Sequence, residues 1–193
     1  MRIALVGGIY GKDGEFRQKL QVTPETVLEK GLRDRGHQVA TYGHYASVET
    51  KRFEVVHVHH LGYGAVRAAL DDSDAAFAYT SHDPFAMVRR LNSFRRRAAR
   101  FVMSRADAVI ALSATEADFQ KQNYPLAGAL HQVIPNGIDA ATYHYGRKNS
   151  GARNPPWQLL YVGQLTEQKN VDVLLRAVAL LRQSAELKLV YHN

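Results

Sequence analysis

The 193-residue sequence contains no cysteine. That excludes a disulfide-stapled scaffold, a zinc ribbon and a cysteine nucleophile. Nor does any apolar run approach the ~20 residues needed to span a bilayer, so no membrane-crossing segment is expected. The opening MRIALVGG has one Arg and too short an apolar stretch for a secretory signal, which makes a cytoplasmic protein the expectation. No low-complexity tract and no repeat of fixed period occurs. Acidic residues are comparatively few: 18 Asp and Glu stand against 25 Lys and Arg, a formal charge of +7. That balance favours an anionic partner, which on charge alone is nucleic acid, a phosphate ligand or anionic lipid.

What remains is globular. The chain is 46% hydrophobic and 22% charged, and its length suits one domain plus a piece of another. Short apolar runs recur at Arg2–Val6, Gln38–Tyr42, Val55–His59, Ala76–Thr80, Ala108–Leu112 and Gln132–Ile134. Near-continuous apolarity, as in IALV and AVIAL, predicts strands covered on both faces of a parallel sheet. Helical patterns lie between them at Pro24–Arg35, Tyr63–Leu70, Phe85–Ser104 and Glu116–Tyr124. Thr23 before Pro24 is a helix start and Gly36 a helix stop. Alternating strand and helix predicts a doubly wound, mainly parallel α/β sheet of Rossmann-like type, with its ligand at the carboxyl ends of the strands.

The pattern breaks after Asp139. Residues 140–156 carry Gly146, Asn149, Ser150, Gly151 and Asn154 without apolar periodicity, which is linker composition. WQLLYVG then reads as a buried strand, Asn170–Arg182 as an amphipathic helix and LKLVY as another strand. The expected organisation is therefore a Rossmann-like domain over 1–139, a linker over 140–156, and an incomplete β-α-β start of a second such domain over 157–193. About 37 residues are too few to close a domain of this class.

Four segments carry chemistry. VGGIYGKDG after the first strand fails both the dinucleotide fingerprint and the P-loop pattern. It remains a glycine-bearing turn in which Gly7 and Gly8 let backbone approach a phosphate or sugar closely, or simply a flexible connection. In EVVHVHH, the period of two puts His57 and His59 on one face of the strand and His60 on the other. His57 reads as a packed strand histidine, His59 and His60 as residues bordering a cleft. No third ligand is placed by spacing, so no metal site is expected. In FAYTSHDPF a strand ends at Thr80, and His82 stands where an imidazole can donate to a sugar hydroxyl or phosphate oxygen. Asp83 beside it either caps the next helix or lines the same cleft. In that helix Arg89, Arg90, Arg96, Arg97 and Arg100 share one face, with Val88, Leu91, Phe94, Ala98 and Phe101 opposite. Two readings stand for this face: a solvated surface, or contact with anionic headgroups at the inner membrane face or an acidic acceptor. No stacking aromatics interleave, so nucleic acid is not expected.

VIPNGID (Val133–Asp139), VHVHH, TSHD, ALSATEADFQ and LLYVGQLTEQKNVDVLLRAVALL, in that order, together with LEKGLRDRGHQV, resemble the family 4 retaining glycosyltransferases across nearly the whole chain. The resemblance implies two facing Rossmann-like domains, the first serving the acceptor and the second the nucleotide-sugar donor. It implies no cofactor and no metal. His82 matches the family's cleft histidine, and Asn136 and Gly137 match a structural hinge. The family's basic pair, G-R-x-x-x-x-K, becomes Gly163, Gln164 and Lys169, so that Lys169 keeps the cation and Gln164 can only hydrogen-bond. The glycine pair that precedes the family's first helix falls at Lys19 and Leu20, and the acidic donor motif would lie past Asn193.

The function this implies is transfer of a sugar, with retention, from a nucleotide-sugar donor to a hydroxyl of a sugar, lipid or small-molecule acceptor. His82 would be catalytic, Gly7, Gly8, Gln164 and Lys169 would face the donor, and His59, His60 and Asp83 would line the acceptor cleft. The 193 residues alone are expected to be inactive. The other reading is a non-catalytic nucleotide or phospho-ligand binder of the same fold, which Gln164 in place of arginine would suit.

Overall fold

The structure, a computed structural model, describes residues 1–15, 22–82, 93–126, 128–138, 140, 156–181 and 185–191. Asp83, Arg89, Arg90, Lys19, Leu20 and most of the expected linker lie outside the described residues. The chain divides into two compact units, Met1–His144 and Tyr145–Asn193.

In the first unit β1 (Arg2–Gly7), β2 (Gln38–Tyr42), β3 (Val55–His59), β4 (Ala76–Thr80), β5 (Ala108–Ala111) and β6 (Leu130–Val133) form one sheet. Its order is β2-β1-β3-β4-β5-β6 and every pairing is parallel. This is the doubly wound fold that the alternating pattern predicts. The chain steps from β1 to β2 on one side and then places β3 on the other, so the winding reverses between β1 and β3. A crevice opens at such a reversal, beyond the carboxyl ends of the strands.

Among the described residues four helices lie between consecutive strands: α1 (Pro24–Asp34), α2 (Tyr63–Ala69), α3 (Ser93–Arg105) and α4 (Ala114–Asn123). The start of α1 is set by Thr23, whose hydroxyl accepts from the Thr26 amide while Thr26 Oγ1 accepts from the Thr23 amide. Helix α4 begins two residues before the expected Glu116. Ser113 caps it by accepting from the Glu116 amide, and the Glu116 carboxylate reaches back to the Leu112 amide.

Strand alternation divides the core. Ile3 and Leu5 point to the side covered by α1, where Leu28 and Leu32 meet them. Ala4, Val6, Val56 and Val58 point to the other side, against alanines of α2 and Ala99, Val102 and Met103 of α3. The buried stripe of α3 is therefore Ala99, Val102 and Met103, and Phe94, expected on the apolar face, is 77% exposed. Its turn stands clear of the contact that α3 makes with α2 and β4.

In the second unit β7 (Trp157–Val162) and β8 (Ala185–Val190) pair in parallel, with α5 (Val171–Ala179) between them in sequence. Asn170, expected inside this helix, is its N-cap in the left-handed region, φ 49°. No residue of α5 is fully buried.

Leu5 is fully buried under α1. Leu5→Ala is expected to lower unfolding free energy by about 2–5 kcal/mol. Urea denaturation followed by circular dichroism checks this, and an unchanged midpoint would mean that the α1 face is not a core.

Candidate functional site

Register builds the site. Gly7 lies opposite His59 in the β1–β3 pair, and His59 lies opposite Thr80 in the β3–β4 pair. The last residues of three strands thus form a row at the carboxyl edge, at the reversal of winding. His82 follows β4 by two residues, and Glu25 enters from the first turn of α1.

Around this row four imidazoles gather. His57 Nε2 is 2.7 Å from Thr80 Oγ1. The His57 and His59 rings stack at 4.3 Å, and the His59 and His82 rings at 5.1 Å. His59 Nδ1 lies 3.0 Å from His82 Nε2. His60 was expected on the opposite face of the strand and is not there. It follows the end of β3 in the left-handed region, φ 68°, and this turn breaks the alternation. Its ring swings back to 5.2 Å from that of His82, and its Nε2 sits 3.4 Å from Glu25 Oε1. The expected cleft residues His59, His60 and His82 are therefore brought together.

Gly7 and Gly8 serve packing first. Both have positive φ, 88° and 60°. A Cβ on Gly7 would press on the His59 carbonyl at 2.9 Å, and one on Gly8 would collide with the Glu25 carboxylate. A carboxylate, not an incoming phosphate, thus lies against Gly8. Glu25 is the one site residue that the sequence pattern conceals. An acidic residue in a first helical turn reads as an ordinary partner of the helix dipole, and only the fold carries it 35 positions along the chain to His60.

The electrostatics are uneven. Burial alone would push the Glu25 carboxyl up, yet hydrogen bonds from His60 and Thr23 and the charge of His82 bring it down to about 2. Burial pushes His57 down to about 4, with the His82 charge adding to it. Burial likewise holds His59 well below the ordinary range, aided by the His57 and His82 charges and opposed by Glu25. At neutral pH the cluster therefore has an ionised carboxylate at one side and neutral, buried rings at the other.

A cleft of about 310 Å³ opens beside the cluster, lined by Leu28 and Gly31 of α1, His57, His59, Thr80 and His82. Asn136 and Gly137 border it as well, so the expected hinge residues also face the cleft. Gly7 lines a different hollow of about 400 Å³ together with His60, and His59 is common to both walls. A third hollow of about 420 Å³ lies toward the amino ends of β3–β5. Its carboxylates are engaged by the fold itself: Asp71 accepts from the Ser73 amide and Asp107 from the Phe77 amide.

Among the described residues no three His, Asp or Glu groups are arranged to hold a metal ion. The close approach of two ring nitrogens, His59 Nδ1 and His82 Nε2, is at hydrogen-bond distance. No described helix is long and apolar enough to cross a membrane.

In the second unit, Lys169 ends a single 3-10 turn just before α5 and is exposed. Gln164 is exposed, and its carbonyl accepts from the Tyr161 hydroxyl at 2.7 Å. The order lysine, left-handed Asn170, helix start leaves Lys169 beside an N-terminal turn, where anions are favoured.

Titration of the buried histidines sets an acid limit. His57 has a folded pKa of about 4 against 6.5 in the unfolded chain. The unfolded chain therefore binds more protons in that interval, and stability falls as pH drops from 6.5 toward 4, by roughly 3 kcal/mol for His57 alone. Glu25, with a folded pKa of about 2 against 4.5, contributes stability that is present above 4.5 and lost as pH falls toward 2. Urea midpoints are expected to fall steadily between pH 7 and 4.5, and flat midpoints over that range would contradict burial of neutral rings.

Comparison with known proteins places this geometry in context. The family model described as Glycosyltransferase Family 4 matches residues 30–142. No curated protein sequence matches the chain. Among solved structures, sucrose-phosphate synthase from Thermosynechococcus elongatus superposes with a TM-score of 0.72 at 14% identity, over 98% of this chain and 62% of that one. Anabaena HepE in complex with UDP-glucose gives 0.58 at 17% identity, over 100% and 69%. The HepE complex with UDP and glucose gives 0.63 at 18% identity, over 98% and 60%. At such identities the likeness is one of fold, and the chain spans 62% of the length of the synthase.

Proposed function

The chain belongs to glycosyltransferase family 4, and on that premise we propose that it serves transfer of a sugar from a nucleotide-sugar donor to an acceptor hydroxyl with retention. The observation that carries this reading is His82, held by His59 at the carboxyl edge of the sheet beside an open cleft. An imidazole there donates a hydrogen bond to a sugar hydroxyl without needing to act as a nucleophile. In this reading residues 1–139 form the acceptor-side domain, 140–156 a linker and 157–193 the opening of the donor-side domain. His59, His60 and Asp83 face the acceptor.

The donor chemistry follows from charge. A nucleoside diphosphate leaves as an anion, and Lys169 beside the N-terminal turn of α5 would neutralise it, with Gln164 adding a hydrogen bond. The acceptor hydroxyl attacks the anomeric carbon from the face on which the diphosphate departs, and the departing oxygen takes up its proton. Orientation and stabilisation of the leaving group are then the main catalytic terms, and no metal or cofactor enters. The HepE complexes hold UDP-glucose, or UDP and glucose, which makes UDP-glucose the first donor to try.

The exposed arginines of α3 support a second contact of the same protein. Arg96, Arg97 and Arg100 are exposed beside an exposed Phe94, a composition suited to anionic headgroups. Arg89 and Arg90 would extend that face. Arg100 is partly engaged, donating to the Asn123 carbonyl.

Calorimetric titration with UDP-glucose, other nucleotide sugars and UDP tests the transferase reading. One nucleotide sugar is expected to bind, with Lys169→Ala weakening it about tenfold or more through loss of a charge-assisted contact. His82→Ala is expected to weaken the nucleotide sugar and leave UDP unchanged. Failure of every nucleotide sugar to bind, or indifference to both substitutions, would remove the reading. Co-sedimentation with phosphatidylglycerol vesicles, compared with phosphatidylcholine, tests the arginine face: binding should be lost in Arg96→Glu/Arg97→Glu and in high salt.

A further inference from the structure

The tautomer of His82 is decided by an atom far from solvent. Only one hydrogen lies between His59 Nδ1 and His82 Nε2, which are 3.0 Å apart. His59 is 3% exposed, and its second nitrogen, Nε2, is the one buried side-chain polar atom without a hydrogen-bond partner among the described residues. A neutral imidazole carries one proton, so two arrangements are possible. If His82 Nε2 donates, His59 must carry its proton on Nε2, and a buried N–H is left with nothing to donate to. If His59 Nδ1 donates, its Nε2 is a bare lone pair. Orphaned buried N–H groups are rarer than under-satisfied acceptors, which favours the second arrangement.

We infer that His59 is a positioning residue that donates its Nδ1–H to His82 Nε2 and thereby places the proton of the neutral His82 ring on Nδ1. Protonating His82 at Nε2 would force His59 to give up that arrangement and move its proton to the orphaned position. His59 cannot respond by becoming a cation, since burial and the neighbouring rings oppose a charge there. Among the described residues, the groups that face the pair are His57 of β3, His60 just past its end, Glu25 of α1, and Arg35, which caps the end of α1, along the cleft wall. Glu25 is held by His60 at 3.4 Å, at one side of the cluster.

The tautomer rests on geometry alone; its use rests on the transferase reading. A neutral imidazole with its proton on Nδ1 is a fixed hydrogen-bond donor, suited to an uncharged sugar hydroxyl. Three sequence-adjacent histidines would offer no such preference, because each could adopt either tautomer in water. The strand register is what couples them.

Nitrogen-15 NMR of the imidazoles in the 193-residue chain at pH 7.5 tests the inference, with His82 assigned by the signals lost in His82→Gln. The expected spectrum shows His82 with Nδ1 protonated and Nε2 bare. His59→Asn, whose amide can donate from nearly the Nδ1 position, should preserve that pattern. His59→Leu should release His82 toward the Nε2–H form and weaken UDP-glucose about tenfold, the equivalent of one hydrogen bond, with UDP unaffected. A wild-type His82 protonated on Nε2 would overturn the inference, as would an identical His82 spectrum in folded His59→Leu. If His59→Leu fails to fold, the wild-type and His59→Asn spectra decide. Should UDP-glucose not bind the wild type while the expected tautomer is seen, the transferase reading falls and the tautomer stands.

Discussion

The parallel register across β1, β3 and β4 sets Gly7, His59 and Thr80 in one row, and each contact at the carboxyl edge is built on it. A shift of two residues in the β3–β4 pairing would keep every side chain on its own face. It would also separate His59 from His82 and His57 from Thr80, leaving buried ring nitrogens without partners. Register here is held by the apolar alternation of Ile3 and Leu5 on one face and Ala4 and Val6 on the other, so core packing and site geometry are one constraint.

Burying His57 and His59 beside two partly exposed imidazoles is electrostatically demanding, and the fold meets the demand by neutrality more than by pairing. His57 and His59 are kept uncharged by desolvation. An ionised group, Glu25, sits at the edge of the cluster against His60 and Gly8. The resulting site sets two neutral, oriented rings, His57 and His59, beside a cleft whose wall also carries Arg35. Such an arrangement discriminates by hydrogen-bond direction, which fits a hydroxyl-bearing ligand better than a phosphate. Further cationic character belongs to the second unit, where Lys169 precedes α5, and to the exposed arginines of α3.

The second unit differs in kind. β7 and β8 pair over six residues, yet Leu160, Val162 and Leu175 remain exposed and α5 has no fully buried residue. Its local signals are strong, with alternating strands and an apolar helix, while its packing is sparse. Local propensity suffices to define these elements, and a covered core is not what defines them.

The residue pattern by itself determined the fold class, the six strands of the first sheet and the place of His82 just past the end of β4. Continuous apolar runs separated by amphipathic stretches have few solutions, and a residue just beyond a central strand must stand at the carboxyl edge. Short-range signals placed helix ends less well, as at α4, because the cap Ser113 lies outside the apolar periodicity. Tertiary structure alone decided the rest. His60 joined the cluster because its backbone turns left-handed, where strand alternation no longer applies. Glu25 became part of the site because α1 delivers its first turn to the row. The direction of the hydrogen bond between His59 and His82 depends on an absent partner deep in the core. Contacts of this sort arise between residues far apart in sequence, and periodicity along a chain carries no record of them.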